Sequence, residues 1–158
     1  MHVLKTLFVY CSEDDTVNAL CKESARKTKN TVAVEIGVFS KKSFFSRFGL
    51  NKPQKFTASA NYDIDFDAFD KIIFACDEFF GEIPSELSAF IKKYEMRYKD
   101  IDCIVFGDGR NVRKAVDSLR VQVALSGGTV RSAVGVSMKE LKRGDEDVLF
   151  SVRHRFAV

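Results

Sequence analysis

The 158-residue sequence lacks tryptophan, contains two prolines, and has no hydrophobic run of the length that a membrane span requires. Its four cysteines form no C-x-x-C pair, and no histidine lies at ligand spacing from them, so we expect no zinc site. Neither of the two histidines has a motif around it, and no catalytic residue is predicted. The N-terminus has no separate charged and apolar signal regions. Scattered cysteines are typical of small buried side chains in a reducing compartment, so we expect a cytoplasmic globular protein.

The charged residues nearly balance, with 25 bases against 22 acids. A net charge of +3 is too small to predict nucleic-acid binding. The charges do lie in blocks, because residues 41–55 (the basic segment) contain no acid and residues 63–70 contain four aspartates and no base. Such blocks are usually solvated surfaces, or they pair with each other, and a docking surface for a partner protein is the alternative. The bases of the segment are Lys41, Lys42, Arg47, Lys52 and Lys55.

Short apolar runs alternate with amphipathic segments along the chain. The runs predict five strands, over 3–10, 31–38, 71–76, 101–106 and 129–136. Helices are predicted after the first strand, from Pro84, from an N-cap at Asn111 to Gly127 and Gly128, and over the tail from Asp145. A strand is the alternative for the tail. Strands that alternate with helices favour parallel pairing and right-handed crossovers, hence a three-layer doubly wound α/β fold.

The length suits a single domain over residues 1–158. The exception to the regular alternation is 39–66, between the second and third strands, where only 43–48 resembles a helix. A connection of this length without regular structure is unusual, so we expect an irregular insertion there.

In an open parallel sheet, ligands bind beyond the carboxyl ends of the strands, where the winding reverses. Three segments of this chain follow strands at that edge: 11–16, 77–81 and 107–111. They contain the candidate binding residues, which are Ser12, Glu13, Asp14, Asp15, Thr16, Asp77, Phe79, Phe80, Gly81, Gly107, Asp108 and Gly109.

Three motifs in order, TLFVYCS, FDKIIFACDEFFGEIPSELSAFI and CIVFGDGRN, resemble the flavodoxin family over nearly the whole chain. The resemblance implies a five-stranded parallel sheet in the order 2-1-3-4-5, non-covalently bound flavin mononucleotide (FMN), and electron transfer with a redox partner protein. It implies that Ser12 belongs to a phosphate loop at the first helix N-terminus, where free N–H groups favour an anion. Phe79 and Phe80 match the aromatic residues that flank the flavin ring, and Gly107–Gly109 match the third flavin-binding loop.

The phosphate loop departs from the family pattern Ser/Thr-x-Thr-Gly-Asn-Thr, because this chain reads SEDDTV over residues 12–17. Three carboxylates stand where a phosphate should bind, and the glycine is missing. The ordinary interpretation of Asp14 and Asp15 is that they are helix-capping and first-turn acids. Together these points predict that an internal carboxylate occupies the anion site and that the cofactor site is degenerate.

Several alternatives stay open at this edge of the sheet. One of Phe79 and Phe80 is expected to be buried and the other exposed, since adjacent side chains after a strand point to opposite sides. Cys11 and Cys76 are expected to be buried thiols, with a redox pair as the alternative.

The function also has two rivals from other classes. One is a flavin-free binding or regulatory module that uses the same crevice or the basic segment. The other is a phosphoryl-accepting receiver domain, which Asp14, Asp15, Asp77 and Lys139 resemble, although a hydroxyl is expected where Gly107 stands.

Overall fold

A computed structural model describes residues 3–37, 64–144 and 146–157. The basic segment, and with it the five bases of the predicted docking surface and the helix expected over 43–48, lies outside the described residues. The strands are β1 (Thr6–Cys11), β2 (Thr31–Glu35), β3 (Lys71–Asp77), β4 (Asp100–Gly107) and β5 (Thr129–Ser137). The helices are α1 (Asp15–Lys27), α2 (Ser85–Lys93), α3 (Arg110–Leu125), α4 (Met138–Lys142) and α5 (Glu146–Ala157), with a 3₁₀ helix at Phe66–Ala68.

The five strands form one sheet in the order β2-β1-β3-β4-β5, and every neighbouring pair is parallel. This is the order that the resemblance to flavodoxins implies, and the doubly wound, flavodoxin-like fold is confirmed. In the register of the sheet, Cys11 at the end of β1 lies opposite Cys76 on β3, and Asp77 lies opposite Phe106 on β4. The carboxyl ends of β1, β3 and β4 therefore meet at one edge, where the winding reverses between β1 and β3.

Alternate residues of the central strands enter two separate hydrophobic cores, one on each face of the sheet. Leu7, Val9, Ile72 and Phe74 pack on one face, against α2 and α3. Their neighbours Phe8 and Ile73 belong to the core on the other face, with residues of α1, α4 and α5. The central strands are apolar on both faces for this reason, as is usual in a parallel sheet.

Several element boundaries differ from the predicted ones. β1 begins at Thr6 rather than at residue 3, and β2 ends at Glu35 rather than at residue 38. Asn111 is not the N-cap of α3, because the helix already begins at Arg110 and its N-cap is Gly109, whose φ is +73°. Glycine adopts this positive φ at little cost. Because it has no side chain, the helix begins without a side-chain cap.

The C-terminal third agrees better with the prediction. α3 ends at Leu125, and Gly127 follows with a φ of +86°, as a helix C-terminus favours. The tail is a helix, with Val152 buried against the core beside α1. The sequence does not predict the short helix α4, because five residues give too little hydrophobic periodicity.

All four cysteines are free and buried, as the sequence predicts for small apolar side chains. Burial raises the pKa of each of the Cys11 and Cys76 thiols well above its ordinary value, so both are protonated at neutral pH. Within the described ranges, no helix has the length and apolar character needed to cross a membrane.

Candidate functional site

The loop after β1 and the end of β3 are joined by the carboxylate of Asp77. The Ser12 hydroxyl donates a hydrogen bond of 2.6 Å to Asp77 Oδ2, and the backbone N–H of Glu13 donates to the same oxygen at 3.0 Å. The other oxygen, Oδ1, is buried and has no hydrogen-bond partner among the described residues. The Asp77 carboxylate therefore reaches from the end of β3 to the predicted phosphate loop, where it accepts hydrogen bonds that a bound anion would accept.

Asp14 occupies the N-terminus of α1 in the same way. Its Oδ1 accepts hydrogen bonds from the backbone N–H groups of Thr16 and Val17, at 2.8 and 3.2 Å. Its Oδ2 forms an ion pair of 2.9 Å with Lys142 Nζ on α4. Asp14 is thus the helix N-cap that the sequence indicates.

The remaining contacts hold the loop in a fixed conformation. The backbone N–H of Asp14 donates to the Ser12 hydroxyl at 2.9 Å, and the side-chain amide of Asn18 donates to the Ser12 carbonyl at 2.9 Å. The backbone N–H groups of residues 13, 14, 16 and 17 thus all have acceptors within the protein. The Asp15 and Thr16 side chains are exposed in the first turn of α1 and take no part in these bonds.

Two of the loop carboxyls and Asp77 have displaced pKa values, in different directions. Burial, opposed by the hydrogen bonds from Ser12 and Glu13, raises the pKa of Asp77. Burial, followed by the charges of Asp77 and Glu86, raises the pKa of Glu13. For Asp14 burial also acts upward, but Lys142 and the amides of Val17 and Thr16 outweigh it and lower the pKa. The loop is thus a crowded acidic site in which one carboxylate is stabilised by a base.

The aromatic residues after β3 form a tight turn over 79–82, called the aromatic turn here. The backbone N–H of Phe79 donates to the Glu82 carbonyl at 2.7 Å, and the Glu82 N–H donates back to Phe79 at 2.9 Å. Phe80 and Gly81 both have positive φ, of 51° and 85°, which is the pattern of a type I′ turn. Phenylalanine is rare in that conformation, so Phe80 stores backbone strain.

Both rings of the aromatic turn are exposed, which corrects the expectation that one would be buried. Phe79 is 52% exposed and Phe80 is 87% exposed, and their rings meet edge to face with centroids 5.5 Å apart. The physical reason is that the chain reverses immediately after Glu78, so neither residue continues the alternation of the strand.

Glu78 links the aromatic turn to the end of β4. Its Oε2 accepts a hydrogen bond of 2.9 Å from the Gly81 N–H. A Cβ atom on Gly107 would lie 2.5 Å from Glu78 Cγ and 2.6 Å from Val112 Cγ2, so only glycine leaves room for these side chains. Gly107 therefore has a packing role at the base of the turn.

The third predicted loop, 107–109, turns toward β5. Asp108 Oδ1 accepts a hydrogen bond of 2.8 Å from the Ser137 hydroxyl, at the point where β5 leads into α4. Gly109 has open space around it, because a Cβ atom added there would meet no other atom within 4 Å. Asn111, in the first turn of α3, borders the aromatic turn. Its Oδ1 lies 3.7 Å from where a Cβ atom on Gly81 would be.

A cavity of about 140 Å³ lies between the phosphate loop and the aromatic turn. Its lining includes Glu13 and Asp77 on one side, Phe79 at its rim, and Ile83 and Pro84 on the approach to α2. Larger cavities of about 330 and 550 Å³ lie beneath α5 and beyond the C-terminal ends of α2 and α3. The cavity at the carboxyl edge is the one that carries the predicted residues.

The structure thus brings Ser12, Glu13, Asp14 and Asp77 together and places the aromatic turn beside them. Sequence reasoning missed Asn18, Glu78 and Lys142 as contributors to this edge. Lys142 carries no motif, and it reaches Asp14 because α1 and α4 share one face of the sheet. For the receiver interpretation, it is Lys142 and not Lys139 that pairs with an acid here. In the described part of the chain, no three His, Cys, Asp or Glu side chains are grouped so that they could hold a metal ion.

A phosphate group does not fit the loop as it stands. It carries about 1.5–2 negative charges at neutral pH, and two unit charges 4 Å apart repel by about 4 kcal/mol at a dielectric constant of about 20. Asp14 and Asp77 already accept the hydrogen bonds of the loop amides at residues 13, 16 and 17. To bind these amides, a phosphate would have to displace one or both carboxylates from them. It would then still lie close to the displaced negative charges.

The sequence matches no protein-family model and no curated protein. The fold does match solved structures. One is a flavoprotein in complex with FMN from Lactobacillus acidophilus, at a TM-score of 0.61 and 15% identity, over 89% of this chain and 98% of that one. Another is an azoreductase from Bacillus anthracis, at a TM-score of 0.57 and 15% identity, over 98% and 97% of the two chains.

A third similar structure is a flavodoxin from Streptococcus pneumoniae, at a TM-score of 0.54 and 14% identity, over 95% of this chain and 98% of that one. At such identities the similarity establishes the flavodoxin-like fold. The same fold carries different activities in the azoreductase and the flavodoxin, so function must be argued from the site.

Proposed function

We propose that this chain binds a flavin at the edge formed by the carboxyl ends of β1, β3 and β4, and that the bound flavin serves in electron transfer. The observation that carries the proposal is the aromatic turn, which holds two exposed phenylalanine rings beside a cavity at the switch point of the sheet. FMN is the first flavin to test, because a similar structure was solved in complex with FMN.

The rings of Phe79 and Phe80 suit a flat aromatic ligand. Exposed apolar side chains that border a crevice commonly mark a binding surface. An aromatic neighbour contributes about 0.5–1.5 kcal/mol to a stacked ring beyond the burial of area. Glu78 and Gly107 support the turn from below, so the rings are held in place before the ligand arrives.

The flavin supplies the electron-transfer chemistry when it is bound, and the chain's own residues position it and limit its contact with water. Electron transfer through the bound flavin requires a reductase that supplies the electrons and an acceptor protein that takes them. Docking of such a partner through Lys41, Lys42, Arg47, Lys52 and Lys55 stays a prediction.

Freshly purified protein should show flavin absorbance at about 450 nm, or should quench flavin fluorescence on titration. The variants Phe79→Ala and Phe80→Ala should each weaken flavin binding, because each removes part of the ring platform. Tyr98→Ala is the matched control, since Tyr98 is 99% exposed, also has a positive φ, and precedes β4 at the opposite edge of the sheet.

One observation favours a second function, a flavin-free binding or regulatory module at the same crevice. The phosphate loop is filled by Asp14 and Asp77, and a protein that has lost its cofactor would need no anion site. The titration separates the two functions. If neither FMN nor riboflavin binds, the flavin proposal is wrong and the flavin-free module is favoured. If a flavin binds and the Phe79 and Phe80 variants keep the affinity of the Tyr98 control, the aromatic turn is not the binding surface.

A further inference from the structure

We infer that the site takes flavins without using their phosphate, so that riboflavin, whose side chain ends in an uncharged hydroxyl, binds at least as tightly as FMN. The inference rests on the proposed flavin-binding function and names the chemical class of flavin that the site accepts.

The first argument is that most hydrogen-bond donors of the loop already have acceptors within the protein. The N–H of Glu13 donates to Asp77, and those of Thr16 and Val17 donate to Asp14. The Ser12 hydroxyl, which the family pattern would turn toward a phosphate, donates to Asp77 at 2.6 Å. A phosphate is purely an acceptor when fully ionised, so it would have to break these bonds before it could form its own.

The second argument concerns charge. Glu13, Asp14 and Asp77 lie together at the loop, and Lys142 already forms an ion pair with Asp14 at 2.9 Å. The positive end of the α1 dipole is likewise matched by the Asp14 carboxylate. Lys142 and the helix dipole are thus already paired with the Asp14 carboxylate. A bound phosphate therefore gains little attraction from them, and the carboxylates of Glu13 and Asp77 repel it.

The third argument is that the cavity offers acceptors, which is what a hydroxyl needs. Glu13 and Asp77 line the cavity beside Phe79, and the carboxyl group of each is a hydrogen-bond acceptor when it is ionised. The sugar-alcohol chain of a flavin carries several hydroxyl donors, and in riboflavin the terminal group is also a hydroxyl. A donor at that end matches the lining of the cavity, whereas a phosphate repels it.

The test is a side-by-side titration of the unmodified protein with riboflavin and with FMN near neutral pH and at low ionic strength, followed by fluorescence. We expect riboflavin to bind more tightly than FMN by about tenfold, from the repulsion described above. Equal affinities also support the inference, since the phosphate then adds nothing. Tighter binding of FMN overturns the inference and leaves the flavin function intact, whereas failure of both ligands overturns both.

The variant Asp77→Asn sharpens the test, because it removes one charge while keeping an oxygen acceptor for Ser12. FMN affinity should rise severalfold relative to riboflavin affinity, because only FMN carries the phosphate that the Asp77 charge repels. Asp67→Asn is the control, since Asp67 is an exposed acid in the 3₁₀ helix that precedes β3. If Asp77→Asn does not fold, raising the salt concentration replaces it: screening should narrow the gap between FMN and riboflavin. A gap that does not respond to salt or to the charge at Asp77 overturns the electrostatic basis of the inference.

Discussion

The loop after β1 and the aromatic turn after β3 lie side by side at one edge of the sheet, and they are built in opposite ways. In the loop, the Ser12 hydroxyl and the backbone N–H groups of residues 13, 16 and 17 donate to Asp14 and Asp77. In the aromatic turn, the apolar groups are left uncovered, since the rings of Phe79 and Phe80 face solvent and Phe80 is held at positive φ. The fold brings both segments to this edge, and a few side chains give one segment internal hydrogen bonds and leave the rings of the other uncovered.

The largest loss of stability is expected for Gly107→Ala, which crowds the side chain of Glu78 beneath the aromatic turn. The added Cβ would lie 2.5 Å from Glu78 Cγ and 2.6 Å from Val112 Cγ2, and overpacking of this kind costs about 1–3 kcal/mol. Urea denaturation followed by circular dichroism would measure the loss. On a Glu78→Ala background the same change should cost less, because one of the two clashes is gone. An identical loss on both backgrounds would show that Glu78 does not support the turn through Gly107.

The next effect is expected for Asp14→Ala, which opens the β1 loop. The change removes the bonds to the Thr16 and Val17 amides and the ion pair with Lys142, and loss of an N-cap costs about 0.5–2 kcal/mol. Asp14→Asn should cost less, since it keeps a capping oxygen. Asp15→Ala is the matched control, because Asp15 is exposed in the same turn and has no capping role. Equal urea midpoints for the Asp14→Ala and Asp15→Ala variants would refute the role of Asp14 as cap.

A smaller effect, and a gain in stability, is expected for Phe80→Asn. Asparagine tolerates positive φ, and Asn-Gly is the favoured pair of a type I′ turn, so unfolding should cost about 0.5–1 kcal/mol more. The same variant should weaken flavin binding, because an exposed ring is lost. Phe79→Asn provides the comparison: it removes a ring where no positive φ is relieved, and should not stabilise the fold. A less stable Phe80→Asn variant would show that Phe80 is not strained.

The smallest effect is a difference in pH dependence between the two loop carboxylates. The pKa of Asp77 is raised in the folded state, so its contribution to stability is present below the unfolded pKa and is lost as pH rises through the folded pKa. The pKa of Asp14 is lowered, so its contribution is present above the unfolded pKa and is lost as pH falls through the folded one.

Urea midpoints measured between about pH 3 and pH 7 should therefore respond in opposite ways to two substitutions. Relative to the parent, Asp77→Asn should improve as pH rises, and Asp14→Asn should worsen. Parallel pH profiles for the two variants would mean that the two carboxylates do not differ in environment as described.

The order of strands and helices could be predicted from the sequence because each central strand is a continuous apolar run, such as KIIFAC over residues 71–76, bounded by polar residues. The predicted start of the helix that follows Gly109 lies too late in the chain, because an asparagine side chain is a common cap and the φ of a glycine cannot be read from its neighbours. The exposure of both Phe79 and Phe80 depends on a reversal of the chain after Glu78, which strand periodicity does not encode.

The presence of an internal carboxylate at the N-terminus of α1 could be predicted, because acidic residues stand in the sequence where the family has its phosphate loop. The identity of the second carboxylate, Asp77, depends on a contact with Ser12 across 65 residues of sequence. The ion pair of Asp14 with Lys142 joins residues still further apart, and no local pattern reveals either contact.

Cys11 and Cys76 stand opposite each other on β1 and β3, directly beneath the two contrasting segments. Because both thiols are buried and protonated, a small alkylating reagent can modify them only when this edge of the sheet opens. The rate of alkylation thus measures how often the edge opens locally. A flavin that binds between the loop and the aromatic turn should slow the alkylation, and the labelling rate would report occupancy without any optical signal from the ligand.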